Sequence, residues 1–549
     1  MRAPRVRQRV PGALGDAGVL APVLIALAFF MLLAAFAGVD PARGVTASTS
    51  PWTDEGWNVL NARDLVVFGR WSTDAWDMYI VNFPFSLLQA AWLALAGVGI
   101  VQARLLVIAI GALALAAVGL GLRRPLGGPG AALAEASLGG SALVLYYGRL
   151  AYLEPMVVLW LVLGLLSLVR EKPSFASGLV AGIALALAIA TKASAATAAA
   201  GMLAGFVLVG MREPAVRRSL AGVVVAALGV TLVWAAVFVV PQPAALATDL
   251  RIWASEPLPR SLAELIGRID EYPRRSDGGI SLALPLLGAG AIGVIVVALR
   301  RRSLDARQRR LAAACVGWFT AGIGVLLIVP YRPNRYLVPL LPPLAIVAGL
   351  AFAVAMSWIS GRARRGRRAG GGDADDVELT RAGASRLAEQ SGAAGPAAGP
   401  AAGAAALPAG LPSAGAATLP AVLPAALALA LAILLVFPGL TTYAGWVTST
   451  PSTLSGIQAR IASIVPPGAA VQGDLAPVLA MRTRAETIVS RPETHVNGGD
   501  LYATRGVRWV LTTGAPPQWA ALHPAAWAAR TRELCLSWGP GRTCLYRLP

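Results

Sequence analysis

About eleven apolar windows of membrane-spanning length divide this chain, and the Lys and Arg residues between them fall on alternate loops. A window of roughly 20 apolar residues matches the ~30 Å hydrocarbon core as a helix. Such windows lie near 19–39, 103–122, 131–148, 156–169, 176–191, 194–211, 219–240, 281–299, 311–330, 336–358 and 420–443. Loops that stay in the cytoplasm collect Lys and Arg. With the N-terminus placed inside, the cytoplasmic loops carry Arg123-Arg124, Arg170 with Lys172, Arg212 with Arg217-Arg218, Arg300-Arg301-Arg302 with Arg309-Arg310, and the run from Arg362 to Arg368. All of these clusters fall on one side, which a wrong span count would not produce.

The composition excludes a soluble protein: 56% of residues are hydrophobic and only 14% charged, where a soluble domain has about 25% charged. The formal charge of +19 does not imply a nucleic-acid partner, because the arginines sit at span ends rather than along one face. Arg2, Arg5, Arg7 and Arg9 before the first span, with no small-residue cleavage site, predict a signal anchor. Of three cysteines, Cys315 lies in a span, while Cys535 and Cys544 form a disulfide if the tail is outside the cell membrane.

The resulting organisation is a mostly α, polytopic membrane module over 1–358, an Ala/Gly/Pro-rich disordered cytoplasmic linker over 359–419, a last span at 420–443, and a small extracytoplasmic α/β domain over 444–549. In that tail, Ala469 to Asp474 and Val507 to Thr512 read as buried strands. The chemically mixed loops, 40–102, 149–154, 191–192, 241–280 and 331–335, share the side opposite the basic clusters. Any chemistry belongs on that side.

There, Asp54-Glu55 stands out in a chain with only 28 acidic residues. Thr53 is placed to N-cap a helix along the membrane surface, with Trp57, Leu60, Val67 and Phe68 towards the bilayer and Asn58, Asn61 and Asp64 opposite. On this reading the pair is either a cap or a functional carboxylate pair at a helix N-terminus. On the same side Arg149 and Glu154, Lys192, and Arg332, Arg335 and Tyr336 stand at span ends. Each alone reads as an interfacial anchor. Together with an acidic pair, the cations suit an anionic headgroup and the carboxylate suits an acceptor hydroxyl.

In order, Asp54-Glu55, Asn61-Ala62-Arg63, Gly69-Arg70-Trp71, Asn82-Phe83-Pro84, Arg149…Tyr152-Leu153-Glu154-Pro155, Thr191-Lys192 and Arg335-Tyr336…Pro339…Pro342-Pro343 resemble the GT-C glycosyltransferases of the protein-O-mannosyltransferase and aminoarabinose-transferase type, over about 1–358. The resemblance implies an integral membrane glycosyltransferase that takes a sugar from a polyprenyl-phosphate donor to an extracytoplasmic lipid, glycan or protein by inverting displacement. It implies Asp54 as the general base, Glu55 as a residue that positions the acceptor or binds a cation, and Lys192, Arg149 and Arg335 as donor-phosphate contacts. The chain departs from that pattern in carrying Glu154-Pro155 where the family has Asp-Pro, which bears on the role of Glu154. No cofactor is required. The histidines, His495 and His523, are both in the tail, which argues against a tightly held transition metal in the membrane part, while a divalent cation on carboxylates stays open. The competing function is a transporter or lipid flippase, which calls for mid-span charges or internal repeats that are not evident; a third is a scaffold whose outer domain binds envelope polymer.

Overall fold

The computed structural model describes residues 13–46, 49–254, 259–275, 279–329, 333–370, 419–490, 497, 499–513, 516–539 and 541–549. The basic N-terminal residues 1–12 and most of the linker, 371–418, therefore lie outside the described residues. Helices follow the apolar windows: α1 Ala13–Ala35, α2 Ser50–Phe68, α3 Phe83–Ala96, α4 Ile100–Gly139, α5 Ala142–Arg149, α6 Glu154–Leu168, α7 Phe175–Thr191, α8 Ala195–Gly210, α9 Pro214–Trp234, α10 Pro243–Ala254, α11 Leu262–Arg275, α12 Gly279–Leu299, α13 Ala306–Ile328, α14 Leu341–Gly370 and α15 Leu419–Ser449. Among the described residues, six helices are long and apolar enough to cross a membrane, seven if the bent pair α5–α6 counts as one span; further apolar helices are shorter.

The windows at 103–122 and 131–148 begin in two helical halves of α4 that a kink separates, as expected of two helices. The halves meet at Gly127, whose φ of 70° lies in the left-handed region that Gly adopts without a Cβ penalty, between Pro125 and Pro129. The second half stops at Gly139, and α5 resumes the same window. α14 runs on to Gly370, so residues 359–370 are helical rather than linker.

Alternation of the helices brings the loops together on two sides. On the basic side, Arg310 pairs with Glu213 and donates to the carbonyls of Arg170 and Glu171. There Arg307 also reaches the Val169 carbonyl, and Gln308 that of Pro125. The mixed loops converge at the other end and carry the site described below.

Small residues let these helices approach closely, as membrane helices require when no hydrophobic gradient drives them together. A Cβ on Gly205 would lie 2.0 Å from the Ala313 carbonyl oxygen, and one on Gly201 2.1 Å from that of Gly317, which locks α8 onto α13. Because α8 starts beside Lys192 and α13 leads towards Arg335, this contact sets the separation of two candidate site residues. We expect Gly205→Ala to lower the melting temperature in detergent by an amount equivalent to about 1–3 kcal/mol. Gly229→Ala, where a Cβ meets open space, should leave it unchanged. Equal melting of both variants would overturn this account.

The tail folds on a five-stranded sheet in the order β2-β1-β3-β5-β4, where β1 is Ala470–Gln472, β2 Glu486–Ile488, β3 Trp509–Thr512, β4 Thr531–Trp538 and β5 Gly541–Arg547. β1 pairs in parallel with β2 and β3; β5 runs antiparallel to both β3 and β4. The two strands expected from sequence are β1 and β3. The β4–β5 hairpin was not expected, although alternation in Glu533 to Trp538 before Gly539 carries its signal. Cys535 and Cys544 face each other across that hairpin and are disulfide-bonded. Trp509, Trp519 and Trp538 are buried core residues.

One face of this sheet shares a hydrophobic core with the first loop: Trp52, Val59 and Phe85 join Val471, Trp509 and Leu545 in a single cluster. The expected surface helix is therefore covered. Residues 50–57 and 59–64 of α2 are all buried, Asn61 and Asp64 included. Trp57 and Leu60 pack against Trp76 and Val489, not lipid. The polar residues expected to face water are instead satisfied internally: Asn61 donates to the carbonyls of Trp71 and Trp76, and Asp64 accepts from Arg63 and Thr73.

Candidate active site

α2 begins at Ser50, one turn earlier than expected, with Pro51 in its first turn. Thr53 is thus not the cap, and Asp54 and Glu55 lie beyond the first turn, where free helix amides no longer support a carboxylate. Successive helix residues are rotated by about 100°, so the two adjacent acids look in different directions.

Glu55 turns into the protein. Its Oε1 accepts from Arg104 Nε at 2.8 Å and from the Ala151 amide at 2.7 Å, and its Oε2 accepts from Arg104 Nη2 at 2.6 Å. Arg104, fully buried, also donates to the carbonyls of Ala37 and Val39 at the end of α1. A charge buried this deeply is tolerated because every neighbour completes a charge-assisted hydrogen bond. The pair staples α1, α2, α4 and the break between α5 and α6. Glu55 is thereby engaged on both oxygens, with Arg104 and the Ala151 amide as its partners. A cation in the first turns of the apolar helix α4 is the signal in the sequence of a buried partner.

Asp54 faces the other way. It forms an ion pair with Arg335, which reaches Glu154 Oε1 at 3.5 Å, and its Oδ1 accepts from Thr53 Oγ1 at 2.9 Å. Glu154 Oε1 also accepts from Lys192 Nζ at 2.5 Å. Asp54, Arg335, Glu154 and Lys192 therefore form one chain of alternating charge, contributed by α2, the 3-10 turn Asn334–Leu340, the start of α6 and the end of α7. Two aromatic rings frame it. Lys192 Nζ lies 3.9 Å from the Tyr336 ring centre, and the Arg335 guanidinium lies 5.2 Å from that of Tyr152 and 5.5 Å from that of Tyr336. Tyr152 was quoted in the motif without a role; its hydroxyl donates to the Ser50 carbonyl, which fixes it against the N-terminus of α2.

Arg149 does not join this chain. It is buried and donates to the carbonyls of Phe36, Val39 and Asp40, satisfying the orphan carbonyl groups after α1. Arg332 and His495 lie outside the described residues. Among the described residues, no three His, Cys, Asp or Glu side chains are grouped to hold a metal ion.

A small cavity of about 30 Å³ lies beside Lys192 and Tyr336. Its walls are apolar, with Ala195 and Ala198 from α8, Gly322 and Leu326 from α13, and Pro339 and Leu340 following Arg335. The arrangement sets a cation at the mouth of a mostly apolar cleft. Further out, desolvation pushes the Asp74 carboxyl up to about 7 against the amides of Val489 and Trp76 that it accepts from. Burial likewise raises Asp64 to about 6, opposed by the charge of Arg63. Both belong to the contact between first loop and tail.

No protein-family model matches this chain, and no curated protein matches it by sequence. Solved structures match it over nearly its whole length. ArnT from Cupriavidus metallidurans bound to undecaprenyl phosphate shares 18% identity over 97% of this chain and 98% of that one, with a TM-score of 0.57. The apo state of that ArnT matches with 17% identity, the same coverage and the same TM-score. The chain has an ArnT-like fold, as the resemblance implied.

Proposed function

We propose that this protein is an integral membrane glycosyltransferase that moves a sugar from a polyprenyl-phosphate donor to an acceptor hydroxyl. The observation that carries the reading is Lys192, which heads an apolar crevice and connects through Glu154 and Arg335 to Asp54. The fold shared with an ArnT that binds undecaprenyl phosphate supports it.

In the proposed reaction the donor's isoprenoid lies in the crevice and its phosphate takes Lys192 and Arg335 as partners. Arg335 then shares its charge with the phosphate, and Asp54 turns to the incoming hydroxyl. The acceptor oxygen attacks the anomeric carbon, its proton passes to the Asp54 carboxylate, and the bond from that carbon to the phosphate oxygen breaks with inversion. The electron pair leaves on the phosphate, where the two cations stabilise it, so no separate acid is needed. Glu154 holds Lys192 and Arg335 at the right spacing. On this reading the site and the tail with its disulfide face the extracytoplasmic side and the N-terminus the cytoplasm.

The test is purified protein supplied with a panel of radiolabelled polyprenyl-phosphate sugars, scored for donor consumption. Lys192→Met, which keeps the apolar stem, should weaken donor binding by about tenfold to a hundredfold, the worth of a charged hydrogen bond. Failure of every donor in the panel to be consumed would overturn the proposal.

A further inference from the structure

The tail domain grips the helix that carries Asp54 more closely than a docked accessory domain needs to. Arg63, on α2 and fully buried, spends its guanidinium on the tail: Nε donates to the Met481 carbonyl at 3.0 Å, and Nη2 to those of Thr483 at 2.9 Å and Ala485 at 2.7 Å. Its remaining nitrogen, Nη1, binds Asp64 at 2.7 Å. One turn beyond the acidic pair, Trp57 Nε1 donates to the Asp474 carbonyl at 2.9 Å. Between them, Gly56 approaches the short helix Ala476–Leu479 so nearly that a Cβ would stand 2.5 Å from the Val478 amide nitrogen.

These contacts differ in kind from an exposed bridge such as Arg70 to Glu486, which also links loop and tail. A guanidinium has a fixed planar fork, so three convergent carbonyls define both its position and its rotation. A helix held at Gly56, Trp57 and Arg63 cannot slide or roll, and Asp54 lies only about 13 Å along the same rod from Arg63, at 1.5 Å per residue. The membrane module holds the other end of α2 through Glu55 and Arg104. The tail and the membrane module thus grip the one helix from opposite sides.

We propose that the tail domain is part of the catalytic apparatus, and that Arg63 is a positioning residue through which it sets the placement of the Asp54 carboxylate. The inference rests on the reading of Asp54 as the base. A base displaced by about 1 Å loses on the order of a hundredfold in rate, while the donor crevice, formed by α8, α13 and the turn after it, is untouched.

The experiment uses the full-length protein in detergent or proteoliposomes, with kcat and KM for the donor measured beside binding of polyprenyl phosphate. Arg63→Met should lower kcat about a hundredfold with KM and polyprenyl-phosphate affinity unchanged. Arg63→Lys, which keeps a donor but not the fork, should recover part of the rate, and Arg70→Ala none need be lost from. If Arg63→Met does not fold, Gly56→Ala probes the same grip and should show the same split. Normal kcat in Arg63→Met or Gly56→Ala, with Asp54→Asn inactive, overturns the positioning role alone. A parallel loss of kcat and donor affinity overturns it too, since that marks general unfolding. Full activity in Asp54→Asn overturns the reading of the base and the positioning role with it.

Discussion

Asp54→Asn should abolish sugar transfer, by about a thousandfold or more, in a protein that folds, inserts and binds the donor lipid normally. A general base in the transition state contributes about 10²–10⁴-fold, and the amide cannot take the proton. The substitution is nearly isosteric, and its neighbours tolerate it: Thr53 keeps an oxygen to donate to, and Arg335 keeps Glu154. The measurement is donor consumption against polyprenyl-phosphate affinity, with monodispersity in detergent as the control for folding. Transfer at a rate within tenfold of the parent would remove Asp54 from the chemistry.

Arg104→Met is the substitution expected to cost most stability. It strands the Glu55 carboxylate, 1% exposed, with only the Ala151 amide to accept from. Removing one partner of a buried pair costs about 3–5 kcal/mol, because the remaining charge keeps its desolvation penalty and loses its compensation. The asymmetry is what distinguishes this pair from a surface bridge. The double variant Arg104→Met with Glu55→Leu should regain most of the loss, since an apolar pair of similar volume carries no stranded charge. Thermal unfolding of the two single variants and the double decides it; additive losses would show that the pair is not coupled.

Much of the fold was legible because it is written locally. Apolar length and the placement of arginines mark each membrane helix independently of the others, and each window is helical in the structure. The loops that share a side also follow from alternation alone. Arg335, named from its place at a span end, does pair with Asp54, and Glu154 and Lys192 follow it in the same chain of charges.

The surroundings of α2 were misread for a physical reason. Its sequence reads as amphipathic, Trp57 and Leu60 against Asn61 and Asp64, and one exposed face was assigned to water. Both faces are covered by residues more than 400 positions later, as when Arg63, beside Asp64, bonds to Met481 and Trp57 bonds to Asp474. Buried polar groups look like exposed ones in a sequence, because burial only requires that each finds a partner, and these partners are distant in the chain. Arg149, read from its span end as a phosphate contact, has backbone carbonyls as its partners in the structure. A cation at a span end can meet a ligand or the carbonyls that end a helix, and only the packed chain shows which it meets.

What the sequence by itself determined is the class of molecule, the order of its helices and the side on which its acids and bases gather, since transfer of apolar segments into lipid and the charge of loops are additive, local quantities. Tertiary structure decided which of two neighbouring acids pairs with Arg335 and which is sealed against Arg104. One residue along a helix is a rotation of about 100°, and what lies in each direction is supplied by segments the local sequence does not contain.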